Sequence, residues 1–357
     1  MKKQALRLDR DGAARRLRSV PLLRAFWIQP FLRFFQERGV PVEKHLKDAR
    51  LPASLVETSE LPCPSLSIYE LIDKLVRGAG VSDVGLKVGA KTRIRSLGRF
   101  GHEVANAATL GDAIRTASRL MPAVHTGRRL SLSWYGPEAQ LSSRLDEAQA
   151  SPAPWEDQFV LLLMVDLVRM AAGPGWRPKA VAVPTRGFES LRDCQALSNA
   201  KLIRGADGAT VVFPRALLGQ PLVHGAPVSV SESGVNRRFD AGPLPTDLTS
   251  SLQAALECLM IGGHTDLDSA VRVVDTSRRT LQRCLRAVGD TFSQVLARTR
   301  LAQARRLLGE PSLNVIDVAF ELGYSDHSHF TKAFRAWTGF TPRAYRNGGD
   351  GSSFVST

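Results

Sequence analysis

Cysteine is scarce in this chain of 357 residues: there are four, Cys63, Cys194, Cys258 and Cys284. No two have C-x-x-C spacing, which argues against a zinc module and against a disulfide framework. Four isolated thiols fit a reducing cytoplasm, the expected location. Long apolar runs are also missing. The longest, "FVLLLMVDLVRMAA" at 159–172, contains Asp166 and Arg169 and is too short to span a bilayer, so it reads as a buried helix. The N-terminal "MKKQALRLDRDGAARRLR" has no apolar stretch behind its charges and is not expected to act as a signal peptide. The usual marks of catalysis are absent too. Gly98 and Gly101 do not make a phosphate loop, His102-Glu103 begins no HExxH, and no G-x-S-x-G occurs. No enzyme site, metal site or cofactor is expected.

Acid is the remaining deficit: 34 Asp and Glu stand against 48 Lys and Arg, a net charge of +14. Such a balance favours a polyanionic partner, nucleic acid before a membrane surface. The charge is uneven. Residues 1–50 carry 13 basic against 5 acidic side chains, whereas 246–347 carry 13 against 10. Net charge therefore does not locate a nucleic-acid site, and local arrangement has to.

Hydrophobic residues make up 43% of the chain, enough for real cores. Apolar positions from Leu22 to Arg38, interrupted by Pro30, predict a helix or kinked pair ending at Gly39. Amphipathic helices are predicted at 66–80, stopped by Gly78 and Gly80, and at 109–121, capped by Thr109. Alternation at 128–136 and 139–145 around Gly136-Pro137 predicts a hairpin. A helix at 155–172 and short strands at 180–184, 201–204 and 210–213 complete an α+β N-terminal domain. "DAGPLPTDL", 240–248, reads as a linker, and everything after it reads as helix.

Two stretches of the C-terminal part share one pattern. In "VAFELGYSDHSHFTKAFRAWTGFTPRAYR" (318–346), Val315, Val318, Ala319 and Leu322 form one apolar face, and Gly323 can take a left-handed turn. Ser325 is the expected N-cap of the next helix. There Phe330, Phe334 and Trp337 repeat at i, i+4, i+7 as a buried stripe. His327, Ser328, Thr331, Lys332 and Arg335 lie opposite. His327 and His329 point about 200° apart on a helix, which rules out a shared metal. His329 is expected to be partly buried. Earlier, "LDSAVRVVDTSRRTLQRCLRAVG" (267–289) repeats the plan, with a turn at Asp275-Thr276 and a Ser277 cap. Leu281 and Leu285 face inward, and Arg278, Arg279, Gln282, Arg283 and Arg286 outward. Each unit is a helix-turn-helix whose second helix can enter a major groove. "FSQVLARTRLAQARRLL" (292–308) reads as one connecting helix of about 25 Å. Such a connector suits two helices about 34 Å apart, one turn of DNA.

This arrangement over about residues 250–346, closed by "TPRAYR" with Thr341 as cap and Pro342 in the first helical position, resembles the AraC/XylS family of transcription regulators. The resemblance implies base contacts from Arg279, Gln282 and Arg283 in the first unit and from Ser328, Thr331 and Lys332 in the second. Arg278, Arg286, His327 and Arg335 are expected at phosphates. The first unit departs from the pattern: Val271 and Asp275 stand where the second has Ala319 and Gly323, so crowding and a strained turn are expected there. The N-terminal part, through "FFQERGVPVEKHLKDARLP", "DVGLKVGA", "LGRFGHEVANAATLGDAIRTASRLM" and "FPRALLGQPL", resembles the sensor domain of one subgroup, typified by ornithine and mycobacterial virulence regulators.

The resulting expectation is a DNA-binding regulator in five parts: a basic flexible arm at 1–18, an α+β effector-sensing or oligomerisation domain at 19–239, a linker at 240–248, an all-α double helix-turn-helix domain at 249–346, and a flexible tail at 347–357. Its partners would be an operator in double-stranded DNA, a small-molecule effector, a second copy of the chain and, for an activator, RNA polymerase. No membrane is expected. His125, Arg128, Trp134, Tyr135 and Trp155, near the hairpin, are the candidate effector contacts. The alternative is an effector-independent regulator whose N-terminal domain only dimerises or meets a protein.

Overall fold

The computed structural model describes residues 17–58, 60–146, 154–185, 187–223 and 242–348. Most of the expected arm, part of the linker and most of the tail lie outside these residues. The chain enters as strand β1 (Leu22–Arg24), pairs antiparallel with β2 (Pro62–Pro64), and passes through a single 3-10 turn into α1 (Gln29–Gln36). The expected helix over 22–38 is thus shorter. Pro30 lacks an N–H and its ring would clash with the carbonyl four residues back, so the helix begins beside it rather than running through it.

Short α2 (Val42–Asp48) leads to α3 (Ser65–Ala79), which runs through Gly78 and ends at Gly80, whose φ is +64°. Helices α4 (Val84–Lys91), α5 (Gly98–Ala105) and α6 (Leu110–Val124) follow. Thr109 caps α6, accepting from the Asp112 N–H. The hairpin forms as β3 (Arg128–Tyr135) and β4 (Glu138–Leu145). Helix α7 (Pro154–Ala172) is apolar around most of its surface because it runs through the core. Phe31 packs edge-on against both Trp155 and Phe159, at 4.9 Å between ring centroids in each case. A Cβ at Gly85 would lie 2.0 Å from the Trp155 carbonyl oxygen, so only glycine lets α4 approach α7. Strands β5 (Ala180–Val183), β6 (Lys201–Arg204) and β7 (Ala209–Pro214) join the hairpin in a sheet of order β3-β4-β7-β5-β6. Only β5 and β6 run parallel.

The remainder is helical: α8 (Leu248–Ile261), α9 (Leu267–Val273), α10 (Arg278–Ala287), α11 (Phe292–Leu308), α12 (Val315–Glu321), α13 (His327–Thr338) and α14 (Pro342–Arg346). A side-chain N-cap starts every one of them: Asp247, Asp266, Ser277, Thr291, Asn314, Asp326 and Thr341. Each such cap is worth about 1 kcal/mol, which matters for helices as short as these. The chain is therefore α+β followed by all-α.

The two parts are joined closely. Leu17, Val20 and Leu22 share a hydrophobic cluster with Leu244, Leu252, Leu256, Leu281 and Leu285. The Val20 N–H donates to Ser251 Oγ at 2.8 Å. Arg50 bonds Ser269 at the start of α9 and faces Asp266 at 3.9 Å. Helix α8 is the hub. Leu252, Leu256 and Leu259 serve the first helical unit, Met260 serves the second, and Cys258 enters the N-terminal core. Among the described residues, no helix is long and apolar enough to cross a membrane.

Candidate nucleic-acid interface

The two helical units can be matched atom by atom at their turns. In the first, the Asp275 N–H donates to Arg272 O at 3.1 Å and the Thr276 N–H to Val271 O at 3.1 Å. In the second, the Gly323 N–H donates to Phe320 O at 2.9 Å and the Tyr324 N–H to Ala319 O at 3.0 Å. Both turns need a left-handed residue, and Asp275 (φ +48°) and Gly323 (φ +76°) supply it. Asp275 is one of only three non-glycine residues with positive φ among those described. The expected crowding at Val271 does not occur. In the first unit Ala270 is fully buried and Val271 half-buried; in the second Val318 and Ala319 are both fully buried. The small residue has moved one position along α9, which turns valine partly outward.

The caps differ from expectation. Asp326, not Ser325, starts α13, accepting from the N–H groups of Ser328 at 2.8 Å and His329 at 2.9 Å. A carboxylate oxygen can take both donors and carries charge at the positive end of the helix, so it prevails over the neighbouring hydroxyl. The His329 N–H bond, with the others, holds the Asp326 carboxyl below its ordinary range. His329 is also more exposed than expected, its Nδ1 lying 2.7 Å from Asp326 Oδ2. The second turn is one residue longer than the first.

Counted from Ser277 and Asp326, the outward side chains fall into register. Arg278 matches His327, Arg279 matches Ser328, Gln282 matches Thr331, Arg283 matches Lys332, and Arg286 matches Arg335. All ten are exposed except Thr331, which is half-buried. The inward residues correspond as well: Leu281 with Phe330 and Leu285 with Phe334, all fully buried. Arg278 is held by Asp268, its Nε donating to Oδ1 at 2.6 Å and its Nη2 to Oδ2. Several other arginines are structural. Arg298 pairs with Asp290, Arg346 donates to Leu308 O at 3.1 Å, and Arg300 lies over the Tyr324 ring at 4.8 Å and reaches Thr265 Oγ1 at 3.3 Å. Arg300 thereby ties the connecting helix α11 to the second turn and to the loop before α9.

Of the N-terminal candidates, His125, Arg128 and Trp155 come together inside the protein. His125 Nδ1–H donates to Thr126 O at 2.7 Å, and Nε2 lies 2.8 Å from Tyr69 Oη. Arg128 Nη1 donates to Ser143 Oγ at 2.8 Å, and Nη2 lies 3.1 Å from Glu156 Oε1. Trp155 Nε1 donates to Asp73 at 2.9 Å. Burial disfavours the charged form of Glu156, but Arg128, His125 and Tyr69 together outweigh it and hold that carboxyl at about 2. Burial, and then Glu156, push the Tyr69 hydroxyl up. Trp134 and Tyr135 are not part of this group. They lie six and seven residues further along β3, about 20 Å away by strand rise, and are 53% and 93% exposed. Tyr69 and Glu156 escaped the sequence reading. The one signal was a carboxylate, Glu156, just inside an apolar helix, where a buried partner is required. No group of three or more His, Cys, Asp or Glu able to hold a metal occurs among the described residues.

Comparison with known proteins agrees with this layout. The family model for the N-terminal arabinose-binding domain of AraC transcription regulators matches residues 39–222, and a helix-turn-helix domain model matches 270–348. The chain is 29% identical over 338 residues to the HTH-type transcriptional regulator VirS of Mycobacterium tuberculosis, covering 91% of this chain and 96% of that protein. It is 23% identical over 332 residues to the ornithine utilization regulator of Pseudomonas aeruginosa, covering 90% and 95%. Over 85 residues it is 39% identical to the HTH-type transcriptional activator RhaS of Escherichia coli, covering 24% and 31%.

Proposed function

Because the chain belongs to the AraC family of DNA-binding transcription regulators, we propose that it reads a two-part operator with α10 and α13, each set in its own major groove. Arg279, Gln282 and Arg283 face the base edges of one half, and Ser328, Thr331 and Lys332 those of the other. Arg278, Arg286, His327 and Arg335 meet phosphates. Arginine and glutamine can make bidentate contacts to guanine and adenine, whereas serine and threonine are less selective, so the first half is read more stringently. The observation that carries this reading is the register of the two helices: five outward positions in each, at identical distances from the cap. Arg278 must leave Asp268 to reach a phosphate, a small cost for an exposed ion pair.

A small molecule held in the N-terminal domain controls the arrangement by favouring one docking of that domain on the first unit. The match to an arabinose-binding domain supports ligand control without naming the ligand. Kinship with an activator supports RNA polymerase as a further partner. The close docking through Val20, Arg50 and Cys258 favours a second reading, in which the N-terminal domain fixes the two units without any ligand.

Selection of binding sites from random DNA with the full chain tests the proposal. The expected product is two conserved blocks about 10 base pairs apart, centre to centre. With about six phosphates engaged, log K should fall against log[salt] with a slope near −5. A single block, or a flat salt response, contradicts it.

A further inference from the structure

In "AKTRIRS" (90–96), α4 ends at Lys91, Thr92 (φ −83°, ψ 136°) and Arg93 (φ −111°, ψ 143°) are extended, and Ile94–Ser96 make a single 3-10 turn before α5. Thr92 and Ile94 turn inward and are buried, whereas Lys91 and Arg93 are exposed and Arg95 is half-buried. The backbone is held firmly. Thr92 Oγ1 donates to Val88 O at 2.8 Å, and the Ile94 N–H donates to Asp166 Oδ2 at 2.8 Å. The Ile94 carbonyl oxygen lies so close to Gly101 that a Cβ there would be 1.8 Å from it. Three cations are thus presented from a rigid support, as a binding site requires.

They face a cleft of about 510 Å³ completed by Asp166, Arg169, Met170 and Pro174 of α7 and the turn after it. That size suits a small ligand. Its charge is unbalanced. Among the described residues four cations, Lys91, Arg93, Arg95 and Arg169, line the cleft with one carboxylate, and Asp166 is already engaged by the Ile94 N–H and by Arg93 at 3.6 Å. Among the described residues Arg95 Nη2 is buried and has no hydrogen-bond partner, a costly state for a charged donor. Burial, then repulsion from Arg177, lowers the Arg169 pKa, in keeping with an excess of positive charge. An adjoining cavity of about 270 Å³ shares Arg93, Asp166 and Arg169 and adds the apolar Leu162 and Ala196. The Arg128 network, by contrast, is sealed, and a ligand would have to open the core to reach it.

We infer that this cleft binds a small organic carboxylate, its head on Arg95, Arg93 and Lys91 and its apolar body along Met170 and Pro174. A planar guanidinium matches a carboxylate through two parallel hydrogen bonds, and the lining beyond the cations suits hydrocarbon. The inference rests on the reading of the N-terminal domain as a sensor and gives that reading a ligand class and a place.

The test uses the full chain, with hexanoate as probe and hexan-1-ol and inorganic phosphate as controls. Saturating hexanoate should raise the thermal midpoint by at least about 2 °C, and hexan-1-ol and phosphate should not. Arg95→Gln should weaken hexanoate binding at least about tenfold. Lys91→Gln, an exposed position, should weaken it less and serves if Arg95→Gln does not fold. Arg115→Gln, on exposed α6 surface, should bind as the parent does. No response to hexanoate, an equal response to hexan-1-ol, or unchanged binding in both cleft variants overturns the inference. Phosphate competing as well as hexanoate overturns the carboxylate class. Site selection on DNA is read separately. Hexanoate binding with no sequence-specific DNA binding leaves the cleft standing and removes the regulator reading; the converse removes the cleft alone.

Discussion

The two helix-turn-helix units share one backbone plan but are held by different means. The first completes its core with residues far away in sequence. Leu17, Val20 and Leu22 pack on Leu252, Leu281 and Leu285, and Arg50 bonds the start of α9. The second is closed by its own aromatics: Phe330 and Phe334 lie 5.6 Å apart, and Tyr345 of α14 stacks edge-on to Phe334 at 5.4 Å. The outward faces differ in the same sense. The first offers arginine and glutamine, and the second offers serine, threonine and lysine at the matching positions. The unit with the more discriminating side chains is therefore also the one that the N-terminal domain grips. On the proposed reading, a change in that grip would act first on the half of the site that α10 faces.

The sharpest way to break this comparison is through the cores. Leu22→Ala removes a fully buried side chain from β1 and should cost about 2–5 kcal/mol. Although Leu22 lies some 245 residues before α9 in the chain, its loss should loosen residues 267–288 more than 315–338 in hydrogen exchange. Phe330→Ala should cost about 3–5 kcal/mol and reverse that order. Equal loosening of both units by either change would mean that the C-terminal domain unfolds as one body.

A smaller effect separates the outward faces. Arg283→Ala and Lys332→Ala should each relax preference at one block of the selected site by about 1–3 kcal/mol, with the affected positions one helical turn apart. Arg283 should show the larger loss, because two parallel bonds to guanine are available to it and lysine is a point charge. Equal losses on specific and random DNA would make both residues phosphate contacts.

How much of this was legible in the sequence follows from where each signal resides. Helix α11 and the hairpin were readable because period and punctuation are local: seventeen residues between Thr291 and Gly309, and eight-residue strands around Gly136-Pro137. The outward positions of α10 and α13 were readable for the same reason. Asp326 was missed because Ser325 is an equally good cap by type, and only geometry chooses between neighbours. Strand β1 was misread as helix because its apolar run carries no period of its own; pairing with residues about 40 positions away decides it. The docking of Leu17 and Val20 on the first unit, and the cleft beside Asp166, depend on contacts between distant segments that no local pattern encodes.

The smallest effect isolates the turns. Gly323→Ala forces an alanine to φ +76°, and its Cβ would meet only Thr265 at an ordinary 3.5 Å. The cost is then conformational, about 1–2 kcal/mol, and is confined to the second unit. Asp275→Gly is the reciprocal change. Asp275 is exposed, and its side chain makes no hydrogen bond among the described residues, so nothing but backbone strain is removed. Aspartate tolerates a left-handed turn better than most residues, and glycine gives back part of the gain through the greater freedom of the unfolded chain. The net gain should be less than about 1 kcal/mol, seen as added exchange protection over 267–288 and none over 315–338. Loss of protection in Asp275→Gly would show that the carboxylate holds the turn, and the two units would then differ in what closes their turns as well as in what closes their cores.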